Sequence, residues 1–211
     1  MNEHTSPHFA SAALITIDVQ EDTLDGQPLE IAGTTDAVTR ISRLCRAFRA
    51  IDRPIVHIVR LYLADGSNAE PIRHELVRGS TPVLRPGTPG RLLAPGILEA
   101  KTELDDALLL RGEVQHIGPN EVAMFKPRWG AFFGTPLDAH LQALAIDTLV
   151  FTGCNFPNCP RTSIYEASER DYRIVVVQDA VSGLYEIAEE EMRNIGVTVL
   201  SAAEVSRAET F

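Results

Sequence analysis

Three side chains of this sequence, a thiol, a carboxylate and an amine, sit where they could together perform nucleophilic chemistry. Cys159 lies in the loop Cys154-Asn155-Phe156-Pro157-Asn158, after the apolar run Leu149-Val150-Phe151 that closes at Thr152-Gly153. Such a run reads as a central parallel strand meeting its loop. Pro160 suits the first helical position, where its missing N–H has no partner to lose, which predicts Cys159 at the N-cap. Ile164, Ala167 and Ser168 then recur at helical spacing, and Arg161, Glu166, Glu169 and Arg170 supply a polar face. Free N–H groups, the helix dipole and Arg161 all favour thiolate, so a pKa below about 8.5 is expected. A cysteine alone is more often a small buried hydrophobe, and Cys154 with Cys159 is also readable as a redox pair. The spacing is not C-x-x-C, and the end of a strand is where open α/β sheets bind ligands.

Asp18 closes the run Ala12–Ile17, and Lys126 closes Glu121–Lys126. A carboxylate ending a buried strand is costly unless paired, although a loop-capping aspartate reads equally well. A strand-terminal lysine often snorkels to solvent. This one precedes Trp129, Phe132 and Phe133, large side chains that could wall a pocket.

These residues need elements to position them. Thr35–Ile51 reads as a helix with Val38, Ile41, Leu44, Cys45 and Phe48 on its apolar face. Pro54 opens a strand, IVHIVRLY, in which His57 reads as a core histidine. A helix starts at Thr135-Pro136 with Leu137, Leu141 and Leu144 facing inward. Arg173–Gln178 reads as a strand, Glu186–Asn194 as a helix and Val197–Leu200 as a last strand. This alternation implies right-handed crossovers and a mostly parallel sheet covered on both faces. A parallel sheet gathers its carboxyl ends on one edge, which brings Asp18, Lys126 and Cys159 to that edge. Residues 63–118 form a turn-rich excursion, a binding loop or a partner contact. Beside and within it, Arg60, Asn68, Arg73, His74 and Arg85 read as solvated loop residues or as the mouth of a site.

The chain has 211 residues and a formal net charge of −10. That suits one domain, residues 11–211, behind a mobile arm of residues 1–10. The acidic balance argues against nucleic acid, and no apolar run approaches the ~20 residues of a membrane span. The first residues, MNEHTSPHFA, lack the basic and apolar regions of a signal peptide. Three cysteines then fit a reduced, cytoplasmic protein.

Three segments carry a family resemblance: ALITIDVQ with Asp18 and Gln20, FKPRWGAFFGTPLDAHL with Lys126 and Thr135, and TGCNFPNCPRTSIYEASERDYRIVVVQDAVSG with Cys159 and Asp179. In that order they resemble the isochorismatase-like cysteine hydrolases, the group of nicotinamidases, N-carbamoylsarcosine amidases and ureidoacrylate hydrolases. The resemblance covers about residues 10 to 200. It implies a Rossmann-like, three-layer αβα sandwich with a six-stranded, mainly parallel sheet, and a homo-oligomer. It also implies a catalytic triad of Asp18, Lys126 and Cys159, a cis peptide between Cys154 and Asn155, and an oxyanion hole from the N–H groups of Asn155 and Cys159. Phe156 and Pro160 stand where the family usually has Thr and a small aliphatic residue.

Nicotinamidases carry an Asp-x-His metal site just after the second strand. Arg60-Leu61-Tyr62-Leu63 stands here instead, so neither metal nor other cofactor is expected. True isochorismatases cleave a vinyl ether without a nucleophilic cysteine. Cys159 therefore points to C–N hydrolysis of a small amide, carbamoyl or ureido compound through a thioester. Candidate pocket residues are Gln20, Arg60, Trp129, Phe132, Phe133, Phe156, Arg161 and Tyr165, with Arg60 or Arg161 available to a carboxylate. Vinyl-ether cleavage on the same scaffold and a non-catalytic binding or oligomer-forming role are the other readings.

Overall fold

Long apolar runs alternating with amphipathic segments dictate a sheet wrapped in helices. The computed structural model describes residues 2–99 and 102–208. Among them seven strands form one sheet: β1 (Ala12–Ile17), β2 (Ile55–Val59), β3 (Gln115–Gly118), β4 (Glu121–Phe125), β5 (Thr148–Gly153), β6 (Arg173–Val181) and β7 (Thr198–Leu200). Their order is β3-β4-β2-β1-β5-β6-β7, and every neighbouring pair is parallel except β3 with β4. The six-stranded expectation is therefore corrected by one antiparallel edge strand. Gln115–Gly118 is half-buried and carries a register shift between His116 and Gly118, so it lacks the apolar run that marks a buried strand.

The helices are α1 (Thr34–Ala50), α2 (His74–Arg78), α3 (Asp106–Leu110), α4 (Leu137–Ala143), α5 (Cys159–Ser168), α6 (Glu186–Asn194) and α7 (Ala202–Ala208). Successive strand residues point to opposite faces, so each strand feeds two cores. Leu14, Ile55, Val150 and Val175 pack on one face with Ile41, Leu44 and Phe48 of α1 and Val205 of α7. Ile15, Val56, Met124 and Phe151 pack on the other with Leu137 and Leu141 of α4, Ile164 and Ala167 of α5 and Met192 of α6. The result is the three-layer αβα arrangement. His57 is a core histidine, fully buried between Thr16 Oγ1 at 2.8 Å and Glu121 Oε1 at 2.7 Å.

The 63–118 stretch is built, not formless. It contains α2, α3, β3 and 3-10 turns at Pro71–Arg73 and Pro89–Arg91. Tyr62, Ala69, Val77, Val83 and Leu84 form a small third apolar cluster there. At the other end of the sheet Arg173 Nη1 donates to the carbonyls of Glu3 and Ser6, both at 2.7 Å. No helix among the described residues is long and apolar enough to cross a membrane.

Candidate active site

Parallel pairing carries β1, β4 and β5 to a common carboxyl edge, and the residues just past each strand meet there. Asp18 follows β1 with φ +52°, a left-handed conformation that turns its side chain off the strand. Its own N–H donates to Ile58 O at 2.9 Å. Its carbonyl accepts from Thr23 Oγ1 at 3.0 Å and from the Cys154 thiol at 3.1 Å, so the unusual backbone is held from both sides. Gly153 ends β5 at φ +120°, and a Cβ there would lie 2.1 Å from the carbonyl oxygen of Ile17. Only glycine lets β5 approach β1 this closely.

Lys126 follows β4 and is 1% exposed. Its Nζ lies 2.9 Å from Asp18 Oδ2, 3.2 Å from Cys159 Sγ and 3.2 Å from the carbonyl of Arg128. An ammonium has three N–H donors, and each has a partner. Asp18 Oδ1 is buried and without a hydrogen-bond partner. Cys159 opens α5 as its first helical residue, one position later in the helix than the N-cap expected; Asn158 occupies the cap. Its carbonyl accepts from Ser163 Oγ at 2.7 Å, and Ser163 Oγ in turn accepts from Ala131 N–H at 3.0 Å. Glu166 accepts from Phe132 N–H at 2.9 Å, so the loop after Lys126 is tied to the helix that carries the thiol.

The charges of the cluster differ from the sequence expectation in one respect. Burial pushes the Cys159 thiol up to about 12; the Asp18 carboxylate pushes the same way and Lys126 opposes both. The expected drop below the free value is therefore overturned, because a helix N-terminus is a weaker influence than removal from water beside a carboxylate. Cys159 rests as a thiol. For Lys126, burial disfavours the ammonium, but Asp18 and Cys159 outweigh it and hold the amine above its ordinary range. Burial also pushes the Cys154 thiol up. All three cysteines are free and buried.

Asp18, Lys126 and Cys159 line one small cavity, about 20 Å³, with Asn155, Arg60, Arg73 and Trp129. That is room for about one water, so a larger molecule enters only if a wall moves. A larger hollow of about 340 Å³ lies at the opposite edge of the sheet, bordered by Arg49, Arg53, Glu99 and Glu121, without a thiol.

Of the other pocket candidates, Arg60 and Trp129 line the cavity. Gln20 stands beside it as a tie: its Nε2 donates to the carbonyls of Arg60 at 3.0 Å and Arg91 at 2.6 Å, and its Oε1 accepts from Arg60 N–H at 2.7 Å. Phe132 and Phe156 are drawn into the core, Phe133 is 59% exposed, and Tyr165 lies outside near Arg161. Arg161 pairs with Glu191 at 2.6 Å. The Cys154–Asn155 peptide is trans, which corrects the cis expectation; Phe156 N–H bonds to Ser182 O and Asn158 N–H to Asn155 O, closing the loop with the lower-energy isomer. Sequence reasoning missed Thr23, Tyr62 and Glu70, which carried no local signal, and read Cys154 only as a redox partner for Cys159 and as one side of a cis peptide.

A parallel αβα sheet with a buried thiol, lysine and carboxylate at its carboxyl edge defines a class of hydrolase-like folds. The isochorismatase domain model matches residues 12–204, and the chain belongs to that hydrolase family. It is 30% identical to a ureidoacrylate amidohydrolase of Methylobacterium radiotolerans over 181 residues, 81% of this chain and 67% of that protein. It is 27% identical over 197 residues to a probable inactive nicotinamidase of Arabidopsis thaliana, covering 90% and 91%. The crystal structure of an isochorismatase family protein from Desulfovibrio vulgaris superposes with a TM-score of 0.79 at 30% identity, covering 95% of this chain and 99% of that one.

Proposed function

We propose that this protein is a cysteine hydrolase that cleaves a C–N bond in a small amide, carbamoyl or ureido compound. The observation that carries the reading is the Lys126 ammonium shared between Asp18 Oδ2 and Cys159 Sγ, with Asp18 Oδ1 left as an open acceptor. Lys126 is fully engaged and cationic, so Asp18 is the group free to take a proton. Asp18 accepts the Cys159 proton as sulfur attacks the carbonyl carbon, and Lys126 stabilises the developing thiolate. The N–H of Cys159, as the first of its helix, has no intrahelical acceptor and serves the oxyanion. Protonated Asp18 then gives its proton to the leaving nitrogen. Water, deprotonated by Asp18, cleaves the thioester and regenerates the thiol. Three unpaired cysteines fit a reducing, cytoplasmic setting.

The test is ammonia release from a panel of primary amides, carbamoyl and ureido compounds, with mass spectrometry of acid-quenched protein for an acyl adduct on Cys159. Cys159→Ala should abolish turnover, and Asp18→Asn should lower it by about 10³-fold or more. Undiminished turnover in Cys159→Ala would refute the reading.

A further inference from the structure

Of the three acceptors around the Lys126 ammonium, only Asp18 Oδ2 and Cys159 Sγ belong to the reacting groups. The third is the carbonyl of Arg128 at 3.2 Å. That carbonyl stands in residues 127–134, which form neither helix nor strand, so no ladder of their own fixes its place. The fixing comes from α5. Cys159, Ser163 and Glu166, spaced four and three apart, share one face of that helix. Ser163 Oγ accepts from Ala131 N–H at 3.0 Å and Glu166 Oε2 from Phe132 N–H at 2.9 Å. The helix that carries the thiol therefore also holds the loop that carries the third acceptor of the lysine.

Glu166 is the unusual member of this face. It is half-buried and has no ion-pair partner among the described residues; Arg170, one turn on, donates to its backbone carbonyl at 2.7 Å and lies over the Phe132 ring. The carboxylate instead lies flat against Gly130, where a Cβ would stand 2.1 Å from Oε2, 2.2 Å from Cδ and 2.3 Å from Oε1. Gly130 is not in the left-handed region, so the carboxylate and not the backbone conformation excludes a side chain there. A half-buried carboxylate is costly, and hydrogen bonds from backbone N–H groups to an ionised acceptor offset that cost. Packing at Gly130, Ser163 at Ala131 and Glu166 at Phe132 together pin three consecutive residues, directly after the cavity residue Trp129.

We infer that Glu166 is a positioning residue for the reaction: by clamping residues 130–132 to α5 it keeps the Arg128 carbonyl on Lys126, and so keeps the ammonium between Asp18 and Cys159. The inference rests on the reading of Lys126 and Cys159 as a working pair. When the clamp is lost, one N–H of a buried ammonium loses its acceptor, and the ammonium moves off the sulfur to recover one. Glu166 touches none of the reacting atoms and acts only through the loop.

The test is the rate at which iodoacetamide modifies Cys159 in the full chain at pH 9, followed by peptide mass spectrometry, a readout that needs no substrate. A loosened loop also changes access to the sulfur, equally with or without the lysine, so the effect is read as a ratio between two backgrounds. Glu166→Ala should slow the modification about three- to tenfold more in the presence of Lys126 than in Lys126→Met, the loss of one net hydrogen bond at the group that stabilises the thiolate. Glu166→Gln keeps an acceptor oxygen for Phe132 N–H and should show a smaller ratio. Gly130→Ala drives the carboxylate off the loop from the opposite side and should reproduce the ratio of Glu166→Ala. Urea unfolding shows which variants are folded under the assay conditions; if Glu166→Ala is not, Gly130→Ala and Glu166→Gln carry the same comparison. An effect of equal size in both backgrounds would overturn the assignment and leave the hydrolase reading intact. A Lys126→Met rate equal to that of wild type would sink the lysine–thiol pair and the inference with it.

Discussion

The protonation of Cys159 can be read directly from its alkylation rate as a function of pH. A thiol pushed up to about 12 is only ~10⁻⁴ ionised at pH 8, whereas a free cysteine near 8.5 is about one quarter ionised, a difference of roughly 10³-fold in reactive species. Burial slows reagent access as well, since Cys159 is 6% exposed, but access does not change with pH in the folded protein. The diagnostic is therefore the slope. Between pH 7 and 10, iodoacetamide should modify Cys159 about tenfold faster per pH unit, with no plateau, as followed by peptide mass spectrometry. The urea-unfolded chain, in which all three cysteines react as free thiols, supplies the reference curve. Asp18→Asn removes a carboxylate that holds the proton on sulfur, so its curve should move to lower pH. Lys126→Met removes the opposing cation and should move it to higher pH. A wild-type rate that levels off below pH 9, or an Asp18→Asn curve that coincides with wild type, would refute the resting-thiol argument and restore a preformed thiolate.

The same geometry carries three further expectations. Cys154→Ala removes the thiol that donates to the Asp18 carbonyl, and should lower kcat about five- to tenfold with little change in KM, the cost of one net hydrogen bond, while Cys154→Ser retains most activity in steady-state assays. Gly153→Ala places a Cβ 2.1 Å from the Ile17 carbonyl at φ +120°, and should cost about 4 kcal/mol or more in denaturant unfolding, or yield insoluble protein. Burial opposes ionisation of Glu121, but His57 and Arg49 overcome it and hold the carboxyl at about 2, below its ordinary 4.5. The folded pKa is the lower one, so this contribution of about 3 kcal/mol is present above pH 4.5 and lost as pH falls toward 2. Glu121→Gln should flatten that part of a pH–stability profile measured by urea unfolding.

The sheet and the meeting of Asp18, Lys126 and Cys159 at its carboxyl edge were legible because the buried strands are written as unbroken apolar runs, and the three residues follow the ends of three of them. β3 escaped because a half-buried edge strand has no such run, and α7 because AAEVSRA is a weak amphipathic signal until Ala202 and Val205 find the first core. The pocket walls were less legible. Phe132 and Phe156 have the composition of a pocket lining, but apolar surface is buried wherever a core will take it, and the second core took both. Glu70 and Arg73 lie in the turn-rich stretch, where Arg73 read equally as a solvated loop residue; the shape of that stretch is set by contacts such as Tyr62 with Glu70, which no local period encodes. The Cys159 pKa failed as an expectation for the same reason: the helix end is local, and the burial is tertiary.

The Gln20 tie has a consequence for how such a chain can diversify. One amide side chain clamps the end of β1 to Arg60 and to Arg91, and so bounds the intervening segment at both ends with fixed posts. Between the posts lie Tyr62, Glu70, Arg73 and a miniature apolar nucleus of their own; outside them lie the thiol, the lysine and the aspartate. The segment is thus a cassette on rigid mounts. Exchanging it wholesale, rather than residue by residue, is the economical route to a new ligand preference, because the mounts keep the carboxyl edge in register while the insert changes.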